Sequence, residues 1–105
     1  MDCQCAVIDN YVADGAAYLT RARKTIKAAR EHGVLPIYVK VAFRTGHPEI
    51  APENRMFAPV RENSLFLQDA EAFAIAPEIG PKPNDIVIEK RRVSSFEGTD
   101  LEIVL

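Results

Sequence analysis

The α/β class, built on a parallel sheet, is the fold this sequence predicts, and three stretches carry the prediction. Two short apolar runs rich in β-branched residues, VLPIYVKV at Val34–Val41 and DIVIE at Asp85–Glu89, suit strands covered on both faces. An amphipathic helix is expected over Ala16–His32, directly ahead of the first run. Strand and helix joined by short turns are the repeating unit of a parallel sheet.

Each element has its own local reasons. In the helix, Tyr18, Leu19, Ala22, Ile26 and Ala29 recur at helical spacing and form one apolar stripe. Asp14 stands where a cap belongs, and Gly33 stands where helices commonly end. Arg21, Arg23, Lys24, Lys27 and Arg30 lie mostly off the stripe, and this basic face is read as solvated and matched to the helix dipole. Pro36 must sit near the start of its strand, where no ladder donor is needed. Between the strands, Ala42–Asn84 holds six of the seven prolines. A connection of that length is a functional loop region or carries short helices, and Leu65, Phe66, Leu67, Ala70, Phe73 and Ile75 supply apolar material for a helix or a lid.

Both ends read as interruptions of a larger sheet. Only Met1 precedes Asp2, so a strand ahead of the helix is missing or reduced to a stub. Cys5–Ile8 reads as a short strand or, given the polar residues on either side, as a loop. Near the other end, Thr99-Asp100-Leu101-Glu102 is a capping box: the Thr hydroxyl caps one amide and the Glu reaches back. It announces a helix of which only Asp100–Leu105 remains. Residues 1–105 are expected to form a single, apparently truncated domain.

Composition narrows the function. The chain has 105 residues, 48% hydrophobic and 27% charged, with a net charge of −2. That balance makes no electrostatic case for binding nucleic acid or an anionic membrane surface. No apolar run reaches the ~18 residues of a transmembrane helix, and the start lacks the basic and apolar regions of a signal peptide. A cytoplasmic location is therefore expected. Cys3 and Cys5 are the only cysteines; with no neighbouring ligand pair they do not make a zinc site and are read as small semi-apolar residues.

Chemistry is expected at the carboxyl ends of the strands, where open α/β sheets bind ligands. Lys90 stands at the carboxyl end of DIVIE, and Asp2 would end any first strand upstream. An Asp beside a Lys supplies a general base with its electrostatic partner.

The residues themselves carry a resemblance. MDCQ, then AREHGVLPIYVKV, FRTGHPE and IEKRRVSSFEGTDLEIVL together resemble the isochorismatase-like cysteine hydrolase family across essentially the whole chain. The family's D-x-Q matches Asp2 and Gln4. Its K-x-R-x-S-A-F-x-G-T-x-L matches Lys90, Arg92, Ser94, Phe96, Gly98, Thr99 and Leu101, with Ser95 where Ala is usual. The resemblance implies a Rossmann-like three-layer α/β/α parallel sheet, incomplete here at both ends. It implies an Asp–Lys–Cys triad with Asp2 and Lys90 as the catalytic Asp and Lys. The Cys lies beyond Leu105; Cys3 and Cys5 do not match its position. The implied substrate is a small amide, imide or ureido compound, or an isochorismate-like one, since some relatives act without the Cys. The apolar run that precedes the Asp in relatives suggests that Met1 is an internal residue read as a start.

The resemblance also implies no cofactor, no metal and a homo-oligomer with a small-molecule substrate. Nicotinamidase-type relatives hold a metal through paired histidines; His47 and His32 have no such neighbours, and His47 is read as a polar loop residue. Arg44, Arg55 and Phe57 lie where relatives line the pocket. Arg44 and Arg55 either grip a substrate carboxylate through the planar fork or stand solvated. Phe96 either covers the pocket mouth or anchors its turn in the core. The 105-residue chain alone is expected to be inactive. The alternative is a non-catalytic fragment serving as an oligomerisation or interaction module, its open sheet edge covered by another chain.

Overall fold

A computed structural model describes all residues, 1–105. Six elements follow one another: α1 (Cys5–Tyr11), α2 (Gly15–Glu31), β1 (Ile37–Val41), α3 (Ala58–Glu62), β2 (Ile86–Lys90) and α4 (Leu101–Val104). Single 3-10 turns occupy Glu71–Phe73 and Pro77–Ile79. β1 and β2 pair in parallel, from Ile37 opposite Ile86 to Val41 opposite Lys90. This is the expected α/β arrangement, reduced to two strands.

The parallel register decides what each face carries. Ile37, Val39 and Val41 share one face with Ile86, Ile88 and Lys90. Val39 and Ile88 pack there against Leu101 of α4, with Ile37, Ile86 and Val104 around them. Tyr38, Lys40, Val87 and Glu89 share the other face, where the Tyr38 hydroxyl meets Arg30 of α2 at 3.4 Å. Lys40 and Glu89, opposite one another, form a cross-strand ion pair at 3.1 Å. A second apolar cluster lies outside the sheet, where Ile8 and Leu19 meet Ala76 and Ile79.

The body is flat, 45 × 34 × 20 Å, with a radius of gyration of 14.6 Å. A compact chain of this length would have a radius near 13 Å. Its accessible surface, 7059 Å², also exceeds the roughly 5,900 Å² expected for this mass. The sheet has two strands and no further strand beside either. No helix is long and apolar enough to cross a membrane.

Most sequence expectations meet the structure within a residue or two. Asp14 caps α2 by accepting from the Ala17 N–H at 3.0 Å, and Gly33 takes the left-handed φ of +75° that ends it. β1 starts at Ile37 rather than Val34: Val34 and Leu35 are exposed, and Pro36 has no amide to pair. The Leu65–Ile75 stretch holds only one 3-10 turn; the helix in the long connection is α3, opened by Pro59.

Two expectations need correction. Cys5–Ile8 is neither strand nor loop but the start of α1. No side chain caps that helix; it is held by packing Ile8 against α2. A Cβ on Gly15 would stand 2.8 Å from the Ile8 side chain, so the approach requires glycine. The capping box forms only in part. The Thr99 hydroxyl accepts from the Leu101 N–H at 3.2 Å, while Glu102 is exposed and makes no return bond. The same hydroxyl donates to the Ser95 carbonyl at 2.6 Å, tying α4 to the preceding turn.

Candidate active site

Lys90 is the last residue of β2, and the register places it on the apolar face that α4 covers. It is 4% exposed. A buried ammonium needs partners, because desolvation penalises an isolated charge heavily. Lys90 Nζ donates to Asp2 Oδ2 at 2.9 Å and to the Val93 carbonyl at 3.1 Å. These bonds use two of the three ammonium protons. Residues 88 apart in sequence thus meet at the carboxyl end of the sheet.

Asp2 is held there by its neighbours. Its N–H donates to the Val39 carbonyl at 2.8 Å, on the edge of β1 away from β2. Two residues on, Gln4 is fully buried, at 0% exposed. Its side-chain oxygen accepts from the Val41 N–H at 2.8 Å, and its amide donates to the Val41 carbonyl at 2.9 Å and the Phe73 carbonyl at 2.6 Å. The Gln4 side chain therefore stands in for a neighbouring strand, satisfying both backbone groups of one β1 residue. Cys5 N–H to the Ala74 carbonyl and Ala76 N–H to the Cys3 carbonyl, both 2.9 Å, secure the other side.

Asp2 combines two features, a left-handed backbone shared with His47, Ser64 and Phe66 and an unpartnered carboxylate oxygen shared with Glu49. Its φ is +57°, a left-handed conformation uncommon outside glycine. Its Oδ1 is buried without a hydrogen-bond partner. The ammonium thus fixes one Asp2 oxygen while the other has no partner.

A second polar cluster lies next to this pair. Glu49 Oε1 accepts from Arg44 Nη1 at 2.9 Å and from Arg91 Nε at 3.2 Å. Arg92 Nη2 donates to the Glu49 carbonyl at 3.2 Å. Burial pushes the Glu49 carboxyl up, but the backbone amides of Glu49 and Arg44 and the Arg91 side chain outweigh it and hold it below its ordinary value. Glu49 Oε2 is buried and unpartnered.

The remaining candidates are spread around this rim. Arg44 is exposed and engaged by Glu49; Arg55 is exposed. Phe57 packs edge-on to Phe43, ring centres 6.0 Å apart. Phe96 is 53% exposed, so the turn is not anchored through its ring. None of these four is hydrogen-bonded to Asp2 or Lys90. His47 is buried at 2% exposed, with Nε2 2.7 Å from the Leu65 carbonyl and its ring 5.4 Å from Phe43. It serves the loop internally. Cys3 Sγ lies 3.4 Å from the Tyr18 hydroxyl, a contact that raises the Tyr18 pKa, aided by the Cys3 charge and by burial.

Sequence reasoning missed the parts played by Gln4 and Glu49. Gln4 carries a signal only through the motif, as the second fixed position of D-x-Q. Glu49 carries none, since its partners lie 42 residues away at Arg91 and 43 at Arg92.

Comparison with known proteins bears on the family and the fold. The isochorismatase domain family model matches residues 1–105. Ureidoacrylate amidohydrolase of Rhizobium rhizogenes is 28% identical over 106 residues, covering 90% of this chain and 43% of that protein. The structure of a cysteine hydrolase from Pseudomonas syringae pv. phaseolicola superposes with a TM-score of 0.84 at 22% identity, covering 99% of this chain and 50% of that one. N-carbamoylsarcosine amidase from Thermoplasma acidophilum superposes with a TM-score of 0.70 at 26% identity, covering 99% and 56%. The chain spans about half the length of these relatives. With the isochorismatase domain model matching residues 1–105, this chain belongs to the isochorismatase family.

Proposed function

We propose that residues 1–105 are one domain's share of a hydrolase acting on a small amide, imide or ureido compound. Asp2 and Lys90 are two members of its Asp–Lys–Cys triad. The observation that carries this reading is the 2.9 Å bond between Lys90 Nζ and Asp2 Oδ2 at the carboxyl end of the sheet. The bare Asp2 Oδ1 and the left-handed backbone beneath it support it. The relatives named for ureidoacrylate and N-carbamoylsarcosine support a ureido-type substrate.

The nucleophilic Cys belongs to the half of the relatives' length that this chain does not span. In the proposed reaction Asp2 takes the thiol proton and the thiolate attacks the carbonyl carbon. Lys90 steadies the thiolate and the developing negative charge. The proton passes to the leaving nitrogen as the C–N bond breaks, and water then hydrolyses the acyl-enzyme, a thioester from an amide or imide and a thiocarbamate from a ureido compound. The 105-residue chain alone does not turn over substrate. The test is hydrolysis of ureido and simple amide substrates by the full-length protein, with and without Lys90→Met. Turnover unchanged in that variant, or turnover by residues 1–105 alone, overturns the reading.

A second reading rests on exposed apolar residues near the chain's end, where Ile103 is 87% and Leu105 76% exposed and Val93 and Phe96 are exposed as well. Here residues 1–105 are an interaction module that pairs with another chain. Size-exclusion of this chain separates the two: a monodisperse oligomer favours the module, and aggregation favours a domain lacking its other half.

A further inference from the structure

Lys90 depends on more than Asp2. Its second partner is the Val93 carbonyl, which the turn Arg91–Val93 must present. That turn follows the last strand residue directly; within it Arg92 Nη1 donates to the Arg91 carbonyl at 2.7 Å, and Arg91 reaches back to the Glu89 carbonyl at 3.4 Å and the Glu89 carboxylate at 3.6 Å. Both of its arginines reach the same residue across the rim. Arg91 Nε donates to Glu49 Oε1 at 3.2 Å, and Arg92 Nη2 donates to the Glu49 main-chain carbonyl at 3.2 Å. Glu49 is anchored in turn: Arg44 Nη1 donates to the same Oε1 at 2.9 Å, and the Glu49 side chain is only 11% exposed. The loop leaving β1 and the turn leaving β2 are therefore sewn together through one carboxylate.

We infer that Glu49 is a positioning residue for Lys90, acting through Arg91 to hold the turn that fixes the ammonium on Asp2. The geometry supports this over a general surface ion pair. Arg91 sets its Nε on the Glu49 carboxylate while its terminal nitrogens hold Glu89, and with the Arg92 bond to the Glu49 main chain this directs the path of the turn between Lys90 and Val93. Loss of the carboxylate charge weakens the Arg91 bond while leaving the strand and the Arg92 bond to the Glu49 main chain in place, so the turn loosens and Lys90 is more often open to solvent. The inference rests on the proposed role of Lys90, but its test needs no turnover.

The test is competitive acetylation of this chain with a pulse of acetic anhydride, the Lys90 to Lys24 labelling ratio being read by mass spectrometry. Lys24 is exposed on α2 and serves as the reference. Glu49→Gln is expected to raise the ratio about tenfold, the scale of losing one charged hydrogen bond. Arg91→Gln is expected to do the same, and the double variant no more than either alone. Amide exchange at Ile88, in the middle of β2, is expected to stay at the parent rate. An unchanged ratio in Glu49→Gln overturns the inference. So does a double variant equal to the product of the singles, or an Ile88 rate that rises with the ratio. If Glu49→Gln does not fold, Glu49→Met removes the buried charge at similar volume and is read in the same way. Failure here leaves the hydrolase reading standing. Absence of turnover in the full-length protein leaves the Lys90 labelling result standing.

Discussion

The two ends of β2 each carry an ion pair, and the pairs are built differently. At the amino end, Asp85 is saturated. Arg30 grips both its carboxylate oxygens, with Nη1 to Oδ1 at 2.8 Å, and the Lys82 N–H adds a bond at 2.7 Å. Arg30 also reaches the Tyr38 hydroxyl, fastening α2 to the sheet. The Arg30 hydrogen bond, followed by the Lys82 amide, draws the Asp85 carboxyl down to about 2. At the carboxyl end, Lys90 and Asp2 share a single bond, an Asp2 oxygen is bare, and the Asp2 backbone is left-handed. The amino-end pair leaves no buried carboxylate oxygen unsatisfied, whereas the carboxyl-end pair leaves one, a difference that fits the catalytic role proposed for Asp2 and Lys90.

The largest test of that contrast is activity. In the full-length protein, Asp2→Asn and Lys90→Met are each expected to lower kcat by about 10²–10⁴, the range for loss of a positioned proton-transfer group. Asp85→Asn is expected to leave kcat near the parent value. Steady-state kinetics with a ureido substrate reads all three, and an Asp85→Asn loss as large as that of Asp2→Asn would erase the distinction. Next is Ile88→Ala, midway between the two pairs and 2% exposed. Opening a cavity there is expected to cost about 2–5 kcal/mol, read as a lower urea midpoint. Gln4→Leu removes the side chain that stands in for a strand beside β1. Leaving Val41 and Phe73 backbone groups unpaired is expected to cost about 1–3 kcal/mol, and lysine labelling should show Lys90 more reactive as Asp2 loosens.

The smallest effect is a pH dependence confined to the amino end. Asp85 is depressed from 3.8 to about 2, so its contribution is present above 3.8 and is lost as pH falls toward 2. The urea midpoint is expected to drop across that window in the parent chain, and to drop less in Asp85→Asn. An equal drop in both chains would mean that other carboxylates dominate acid unfolding.

Much of this was legible before folding. α2 announced itself through its stripe, the Asp14 cap and Gly33, all local signals. β1 and β2 did so through β-branched apolar runs, and Lys90 through its place at a strand end within a long K-x-R-x-S motif. α1 was not legible: it has seven residues and no capping side chain, and it exists because Ile8 packs against Gly15 and Leu19. The first three residues of the Val34–Val41 run stayed out of the sheet, because pairing begins where β2 offers Ile86.

The sequence by itself determined the class of the fold, its principal helix and strands, and the two residues, Asp2 and Lys90, on which the proposed chemistry rests. These are written in short-range patterns: periodicity, caps and contiguous motifs. Tertiary structure alone decided that Gln4 serves as a strand beside β1 and that Glu49 ties two distant turns together. It also decided that Asp85 is saturated while Asp2 keeps an oxygen bare. The satisfaction of a buried polar group depends on which distant atoms arrive within about 3 Å of it. No spacing along the chain encodes that.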